Sequence, residues 1–291
     1  MDAQSAQFIA GGLTAGAIYG LVALGFSIIF NATRVINFAQ GEFVMIGGMC
    51  TVSLLAAGLS LPFAIAGAVV VGALVGLGLC QLALAKARNA SVVTLIIITI
   101  GASIFLRGLA QLVWDKALHP LPPFSGDAPI ALFGATIVPQ SLWVLGVTFA
   151  IVVALTWFFG RTRLGKAMLA TSHNRLAAQL VGINVRAVLL ASFGLAAALG
   201  AIAGVLIAPI TFTSYDAGIM LGLKGFAAAI LGGLGSFPGA IVGGLVLGLL
   251  ESLGAGYVSS AYKDVIAFAI ILIVLFFRPD GIFGALRTER V

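Results

Sequence analysis

The sequence predicts an all-α polytopic membrane protein with about eight or nine transmembrane helices. Of its 291 residues, 61% are hydrophobic and 8% are charged, whereas a soluble domain averages about 25% charged residues. Its apolar runs are long and continuous, and they lack the polar alternation of outer-membrane strands. This number of charged residues is too small to cover a globular surface. We therefore expect a single transmembrane domain over residues 1–291.

Nine apolar segments approach the roughly 20 residues that a spanning helix needs. They lie at about 8–30, 42–58, 62–85, 91–113, 142–159, 187–208, 217–233, 239–255 and 262–277. Glycines and Pro238 interrupt one long apolar run between the seventh and eighth segments, because proline lacks a backbone donor and glycine loosens a helix. The interruption predicts either a tight turn between two spans or a break between two half-helices.

Basic residues predict the orientation of the chain. Residues 160–186 contain Arg and Lys residues and no Asp or Glu, and cytoplasmic loops of membrane proteins collect Lys and Arg. With this loop inside, the N-terminus and residues 114–141 lie outside, and Lys86 and Arg88 lie inside.

The C-terminal tail carries Arg278, Arg287 and Arg290 and is predicted to be cytoplasmic. The chain after residue 186 therefore makes an even number of crossings. This favours nine crossings in total, or eight with a re-entrant pair within 217–255.

Composition argues against several classes of function. The basic residues lie in loops, where orientation explains them, so the net charge of +6 does not indicate a nucleic-acid partner. Cys50 and Cys80 lie in apolar segments, and neither His119 nor His173 has a second His or a Cys nearby in the sequence. We therefore expect no catalytic residue, metal site or cofactor in this chain.

The basic loop contains a predicted short helix, which Gly182 can end. Thr171, Ser172 and Asn174 are candidate N-caps. Ala177 and Ala178 leave one side of this helix thin enough to enter a groove on a partner protein. The residues support such a docking helix and an ordinary amphipathic loop helix equally.

A polar stretch joins the first two spans, where Asn37, Gln40 and Glu42 lie beside Phe38. Polar groups at membrane depth are costly, and they line cavities or pair with one another. These four residues are therefore candidates for a translocation pathway, although Asn and Gln here can equally cap helix ends.

Three charged residues lie within or near predicted spans: Arg107, Lys224 and Glu251. Each can line a pathway or can extend its charged group to the interface from a helix end. Lys224 has the better functional case, because it lies in a predicted outward-facing half-helix.

Several motifs in order make the chain resemble the LivH-type permeases of bacterial branched-chain amino-acid ABC transporters. They are VINFAQGE (35–42), LGKA (164–167), GIN (182–184), LGGLGSFPGAIVGG (231–244), YKDV (262–265) and RPDGI (278–282). The resemblance covers nearly the whole chain. It implies an inner-membrane permease subunit with a type II-like ABC importer architecture, surrounded by membrane lipid.

The resemblance also implies partners: a LivM-like second permease, a periplasmic substrate-binding protein, and two ATP-binding subunits that carry the ATP and magnesium. Residues 160–186 would form a cytoplasmic coupling loop. Its implied ATPase-coupling residues are Arg175, Leu176, Ala177, Ala178, Leu180, Gly182, Ile183 and Asn184. The candidate hinge residues, where glycine absorbs dihedral change cheaply, are Gly232, Gly233, Gly235, Pro238 and Gly239.

The alternative function is a stand-alone secondary transporter or channel for a small solute. It would need its own ion site, and only Glu251 lies in mid-span, with Glu42 at a span edge. This scarcity of carboxylates counts against ion coupling. Branched-chain amino acids are the leading expectation for the substrate, and other amino acids, urea and amides stay open, as does the choice between a homodimer and a heterodimer.

Overall fold

The computed structural model describes residues 3–84, 90–132 and 135–284. Lys86, Arg88, Arg287 and Arg290, on which the predicted orientation partly depends, lie outside these residues. The α-helices are α1 (Ala3–Thr33), α2 (Gln40–Ala56), α3 (Leu61–Leu79), α4 (Val92–Trp114), α5 (Pro139–Arg161), α6 (Arg163–His173), α7 (Arg175–Leu180), α8 (Val185–Thr211), α9 (Ala217–Gly232), α10 (Phe237–Tyr257) and α11 (Lys263–Phe277). A π-helical turn, Cys80–Leu84, continues α3, and a 3₁₀ turn, Ser260–Tyr262, leads into α11.

The nine predicted apolar segments coincide with nine of these helices to within a few residues. Six helices in the described residues are long and apolar enough to span a bilayer: α1, α3, α4, α5, α8 and α10. Helices α2 and α9 are apolar but shorter, and α11 has 15 residues. The chain is therefore multi-pass, while the count of eight or nine crossings stays a prediction.

Two features do not follow from the apolar pattern. Helix α6 is amphipathic and lies in the basic loop, where only the shorter α7 was expected. The segment before α5 forms an antiparallel hairpin of two short strands, β1 (Ile130–Leu132) and β2 (Ala135–Ile137). Helix α6 is too polar, and the two strands are too short, to appear as apolar runs in the sequence.

Helix α1 lies at the centre of the bundle and packs closely against α10. A Cβ atom at Gly16 would lie 2.8 Å from the Gly244 carbonyl oxygen, and one at Gly248 would lie 2.3 Å from the Gly16 nitrogen. Small residues let two helices approach this closely in lipid. Contacts of Gly12 with Leu249 and of Gly20 with Ile241 show that the two helices are antiparallel.

Helices α9 and α10 form an antiparallel pair joined by a tight turn, an arrangement that two full spans and two half-helices of a re-entrant pair share. A Cβ atom at Gly232 would lie 1.8 Å from the Gly239 carbonyl oxygen, so only glycine fits where the helices meet. Gly233 and Gly235 in the turn have φ angles of 103° and 92°, which favour glycine.

Candidate functional site

Helix α7 in the basic loop has the bounds that its sequence signals predict. Asn174 caps it, because its Oδ1 accepts a hydrogen bond of 3.0 Å from the Ala177 nitrogen. Gly182 ends it with a φ of 85°. The other two candidate caps, Thr171 and Ser172, do not cap α7, because their hydroxyl groups donate to carbonyl oxygens of the preceding turn of α6.

One side of α7 presents apolar side chains to the surroundings. Leu176, Leu180 and Val181 are 66%, 81% and 77% exposed. Ala178 is buried and faces the chain itself, so it does not lie on the side expected to enter a partner's groove. The groups available to a partner are therefore the branched apolar side chains. Asn184, at the end of the loop, caps α8 by accepting from the Ala187 nitrogen at 3.1 Å.

The base of the basic loop contacts the start of α10 through two aromatic rings. Phe159, near the end of α5, stacks on Phe237 with a centroid separation of 4.4 Å and an interplanar angle of 17°. Phe159 is buried, and Met168 of α6 is buried in the same region. The end of α5 therefore contacts the start of α10 directly.

A second route connects the loop to the same turn through the end of α1. The Arg34 guanidinium donates a hydrogen bond to the Ser172 carbonyl oxygen of α6. Three residues earlier, the Asn31 side chain donates to the Gly235 carbonyl oxygen at 2.7 Å. The first route is apolar and the second is polar.

The five candidate hinge residues, Gly232, Gly233, Gly235, Pro238 and Gly239, all lie in or beside this turn. Pro238 lies in the first turn of α10, where a missing backbone donor costs nothing. The Ile282 and Phe283 nitrogens donate to the Leu231 and Gly232 carbonyl oxygens at 2.9 and 3.0 Å. The C-terminal segment thus satisfies carbonyl groups at the end of α9 and holds the turn in place.

The predicted pathway residues Asn37, Phe38, Gln40 and Glu42 lie in and after a non-helical segment that is buried between helices. Asn37, Gln40 and Glu42 are 1%, 0% and 2% exposed. The Phe38 nitrogen donates to the Thr99 hydroxyl at 3.2 Å, and Gln40 Nε2 donates to the Ala196 carbonyl oxygen at 3.0 Å. Irregular backbone at membrane depth is tolerated only where protein buries it or it lines a cavity.

Glu42 interacts with two polar groups of α4. Ser103 Oγ donates to Glu42 Oε1 at 2.7 Å, and Arg107 Nε lies 3.7 Å from the same oxygen. Within the described residues, Glu42 Oε2, Asn37 Nδ2 and Gln40 Oε1 have no hydrogen-bond partner. The segment therefore holds hydrogen-bonding atoms without partners inside an apolar bundle.

Lys224 belongs to a buried cluster of charged groups from three helices. Its Nζ lies 2.7 Å from Glu251 Oε1 of α10 and 2.7 Å from Asp264 Oδ1 of α11. The Tyr19 hydroxyl donates to Glu251 Oε2 at 2.9 Å, and Lys263 Nζ lies 4.0 Å from Glu251 Oε1. Lys224 and Glu251 were each identified from sequence, but their pairing and the participation of Asp264 and Tyr19 were not.

Metal-ligating side chains do not cluster in the part of the chain that the structure describes: no group of three or more His, Cys, Asp or Glu residues there could hold an ion. Cys50 and Cys80 are both buried and unpaired with each other.

Comparison with known proteins identifies the class. The family described as the branched-chain amino acid transport system permease component matches residues 8–275. The high-affinity branched-chain amino acid transport system permease protein LivH of Escherichia coli K12 is 35% identical, covering 96% of each chain. The corresponding protein BraD of Pseudomonas aeruginosa is 36% identical, covering 98% of this chain and 97% of its own.

A more distant similarity is to the ribose import permease protein RbsC of Escherichia coli K12, which is 27% identical over 89% of this chain and 81% of its own. With its apolar helices, the chain is a multi-pass inner-membrane transport permease. More particularly, it belongs to the family of branched-chain amino acid transport system permease components, which confirms the resemblance seen in its motifs.

Proposed function

We propose that this chain carries branched-chain amino acids, or related small polar solutes, across the inner membrane as one permease of an ATP-driven importer. The identity of 35% and 36% to two branched-chain amino acid permeases supports this substrate class. The proposed partners are a LivM-like second permease, two ATP-binding subunits and a periplasmic substrate-binding protein. ATP hydrolysis would take place in the ATP-binding subunits, and this chain would be non-catalytic.

The stand-alone transporter or channel is less well supported. Such a protein needs a carboxylate that is free to bind a coupling ion. Glu251 is engaged by Lys224 and Tyr19, and Glu42 is engaged by Ser103 through one oxygen. Similarity to permeases of multi-subunit transport systems also favours the importer.

The proposed topology has nine crossings, a periplasmic N-terminus and a cytoplasmic C-terminus. The antiparallel packing of α1 with α10 and of α9 with α10 supports it, since α1 and α9 then run in the same direction. In this topology the basic loop 160–186 and the α9–α10 turn lie together on the cytoplasmic side. Their direct contact through Phe159 and Phe237 agrees with this arrangement.

The exposed apolar tip of α7 is the observation that carries the proposal. Leu176, Leu180 and Val181 project from a loop rich in arginine, where lipid does not cover them in the proposed topology. Exposed apolar groups with a polar surround are typical of a protein–protein contact. We propose that α7 docks on an ATP-binding subunit and is the coupling helix.

The proposed mechanism is alternating access. Closure of the ATP-binding subunits would move α7 and the loop base, and the stack of Phe159 on Phe237 would pass this movement to the glycine-rich turn. The turn would serve as the hinge, because its glycines absorb changes in φ and ψ at little cost. Such driving requires that the ATP-binding subunits contact the two states differently, and α7 is where that difference would arise.

The proposed pathway includes Asn37, Phe38, Gln40 and Glu42. Their burial and unsatisfied polar atoms support contact with a polar solute once the subunits rearrange. A pathway role for Lys224 stays a prediction. Its ammonium group is engaged by two carboxylates, which supports a role in holding α9 against α10 and α11.

Affinity purification of the tagged chain from its native membrane, in mild detergent, tests the proposal. We expect a second permease and an ATP-binding subunit to co-purify, and we expect Leu180→Glu to lose the ATP-binding subunit because a charge then occupies the apolar contact. Leu164→Glu is the matched control, since Leu164 is a 41% exposed leucine of the same loop outside α7. Purification of the wild-type chain alone, even after cross-linking through α7, would favour the stand-alone transporter.

A further inference from the structure

A cavity of about 650 Å³ lies behind the exposed side of α7, between α7, the start of α8 and the π-helical end of α3. Arg175 and Gln179 line it from α7, and Arg186 lines it from α8. Because Arg175 and Gln179 are four residues apart, they share a helix face that differs from the face of Leu176 and Leu180. Leu176 and Leu180 do not line the cavity, but four implied coupling residues do: Arg175, Gly182, Ile183 and Asn184. The cavity therefore adjoins the proposed docking surface.

The charge in this cavity is positive. Two arginines line it, and the lining residues that the structure describes include no Asp or Glu. Among the described residues, neither Arg175 nor Arg186 forms a salt bridge or a side-chain hydrogen bond. A guanidinium group offers a planar set of donors that fits phosphate or carboxylate oxygens. The lining therefore suits an anion.

The wall of the cavity changes from polar to apolar towards the bundle. Leu189 and Phe193 line it one and two turns into α8, which continues as an apolar spanning helix. Leu95 of α4 and Leu190 of α8 also line it. A ligand with an anionic head and an apolar tail satisfies both parts, whereas a free inorganic anion leaves the apolar wall without a partner.

We propose that this cavity binds the headgroup of an anionic phospholipid from the cytoplasmic leaflet. Arg175 and Arg186 would hold the phosphate, Gln179 would donate a further hydrogen bond, and an acyl chain would lie along Leu189 and Phe193. Basic pockets between membrane helices on the cytoplasmic side are suited to such headgroups. The proposal rests on the proposed function only for the cytoplasmic placement of the loop.

Such a lipid would bear on coupling, because its headgroup contacts the side of α7 adjacent to the ATPase-docking side. With the cavity occupied, α7 is held between the lipid and the bundle through Ala178 and Arg175. With the cavity empty, α7 keeps the buried contacts of Ala178 and the cap at Asn174, and the lipid contact is missing. Membrane composition would then set how firmly the coupling helix is positioned.

The test measures lipid binding to the purified protein with whatever partners it retains. Three proteins are purified and delipidated with detergent: the wild-type chain, the variant Arg175→Gln/Arg186→Gln and the control Arg161→Gln/Arg163→Gln. Each is titrated with phosphatidylglycerol or phosphatidylcholine, and native mass spectrometry counts the bound lipid. The control pair removes the same charge from the same loop at positions that do not line the cavity.

We expect the wild-type chain to prefer phosphatidylglycerol and the Arg175/Arg186 variant to bind it roughly 30-fold more weakly, since each arginine near the headgroup contributes about one factor of five. The control variant should bind like the wild type. Equal binding by both variants, or no preference for phosphatidylglycerol, would overturn the proposal.

Two further measurements distinguish a bound lipid from a free anion and from a docking role of the arginines. Displacement of the lipid by millimolar inorganic phosphate would identify a free-anion site and overturn the lipid assignment. Loss of an ATP-binding subunit from the Arg175/Arg186 variant with lipid binding unchanged would assign the arginines to docking and also overturn it. Lipid binding is measured on the chain whether or not ATP-binding subunits co-purify, so failure of the importer proposal is seen separately.

Discussion

Replacing Lys224 by methionine should destabilise the bundle strongly. The ammonium group lies 2.7 Å from one oxygen each of Glu251 and Asp264, and the Lys224 and Glu251 side chains are only 8% and 9% exposed. In Lys224→Met, Glu251 keeps the Tyr19 hydroxyl and a more distant Lys263 at 4.0 Å. Removing one partner of a buried pair costs about 3–5 kcal/mol, which is the expected loss in free energy of unfolding.

The geometry also predicts a graded series. Glu251→Gln should cost less, about 1–3 kcal/mol, because Lys224 keeps Asp264 as a charged partner. Asp264→Asn should cost at most about 1 kcal/mol, because the Asp264 side chain is 38% exposed and water screens its charge. The double variant Lys224→Met/Glu251→Met should recover stability relative to Lys224→Met, since apolar side chains can replace a buried pair at little cost.

The assay is unfolding of the purified variants in one detergent, followed by tryptophan fluorescence. The chain has three tryptophans, and none belongs to the cluster. The expected order of stability is wild type, Asp264→Asn, Glu251→Gln and then Lys224→Met. If Lys224→Met unfolds at the same midpoint as Asp264→Asn, the ammonium group does not hold the three helices together and the reasoning is refuted.

Two further variants test the helix contacts. Gly16→Ala should lower the free energy of unfolding by about 1–3 kcal/mol through overpacking, because its Cβ would lie 2.8 Å from backbone atoms of Gly244 and Leu245. The control in the same unfolding assay is Gly146→Ala, whose Cβ would have no atom within 4 Å and which should be neutral or slightly stabilising. Phe237→Ala should lower uptake several-fold and leave ATP hydrolysis in the assembled transporter intact. The size of the effect follows from the stack, because an aromatic pair contributes about 0.5–1.5 kcal/mol beyond its buried area. Unchanged uptake would show that the stack does not transmit coupling.

Local signals in the sequence accounted for much of the candidate site. The end of α7 follows from Gly182 and its start from Asn174, because capping depends on neighbouring residues alone. The glycine-rich turn between α9 and α10 was likewise recognisable. The buried position of Ala178 was not, because it depends on which side of α7 meets the rest of the chain.

The pairing of Lys224 with Glu251 and Asp264 could not be read from the sequence for a similar reason. The three residues lie on three helices, and each helix is apolar apart from one or two charged residues. Without a polar face, nothing in the sequence shows how each helix is rotated. The stack of Phe159 on Phe237 also joins residues far apart in the chain.

The sequence by itself determined the membrane environment, the helix bounds and the basic loop, because these depend on runs of apolar residues and on local charge. The tertiary structure alone decided which helices lie at the centre. Helices α1 and α4 have similar mean hydropathies of 2.0 and 2.2, yet 83% of the apolar stretch of α1 is buried and 11% of that of α4. Lipid is as apolar as a protein core. For a membrane protein, the composition of a helix therefore cannot show whether that helix is central or peripheral.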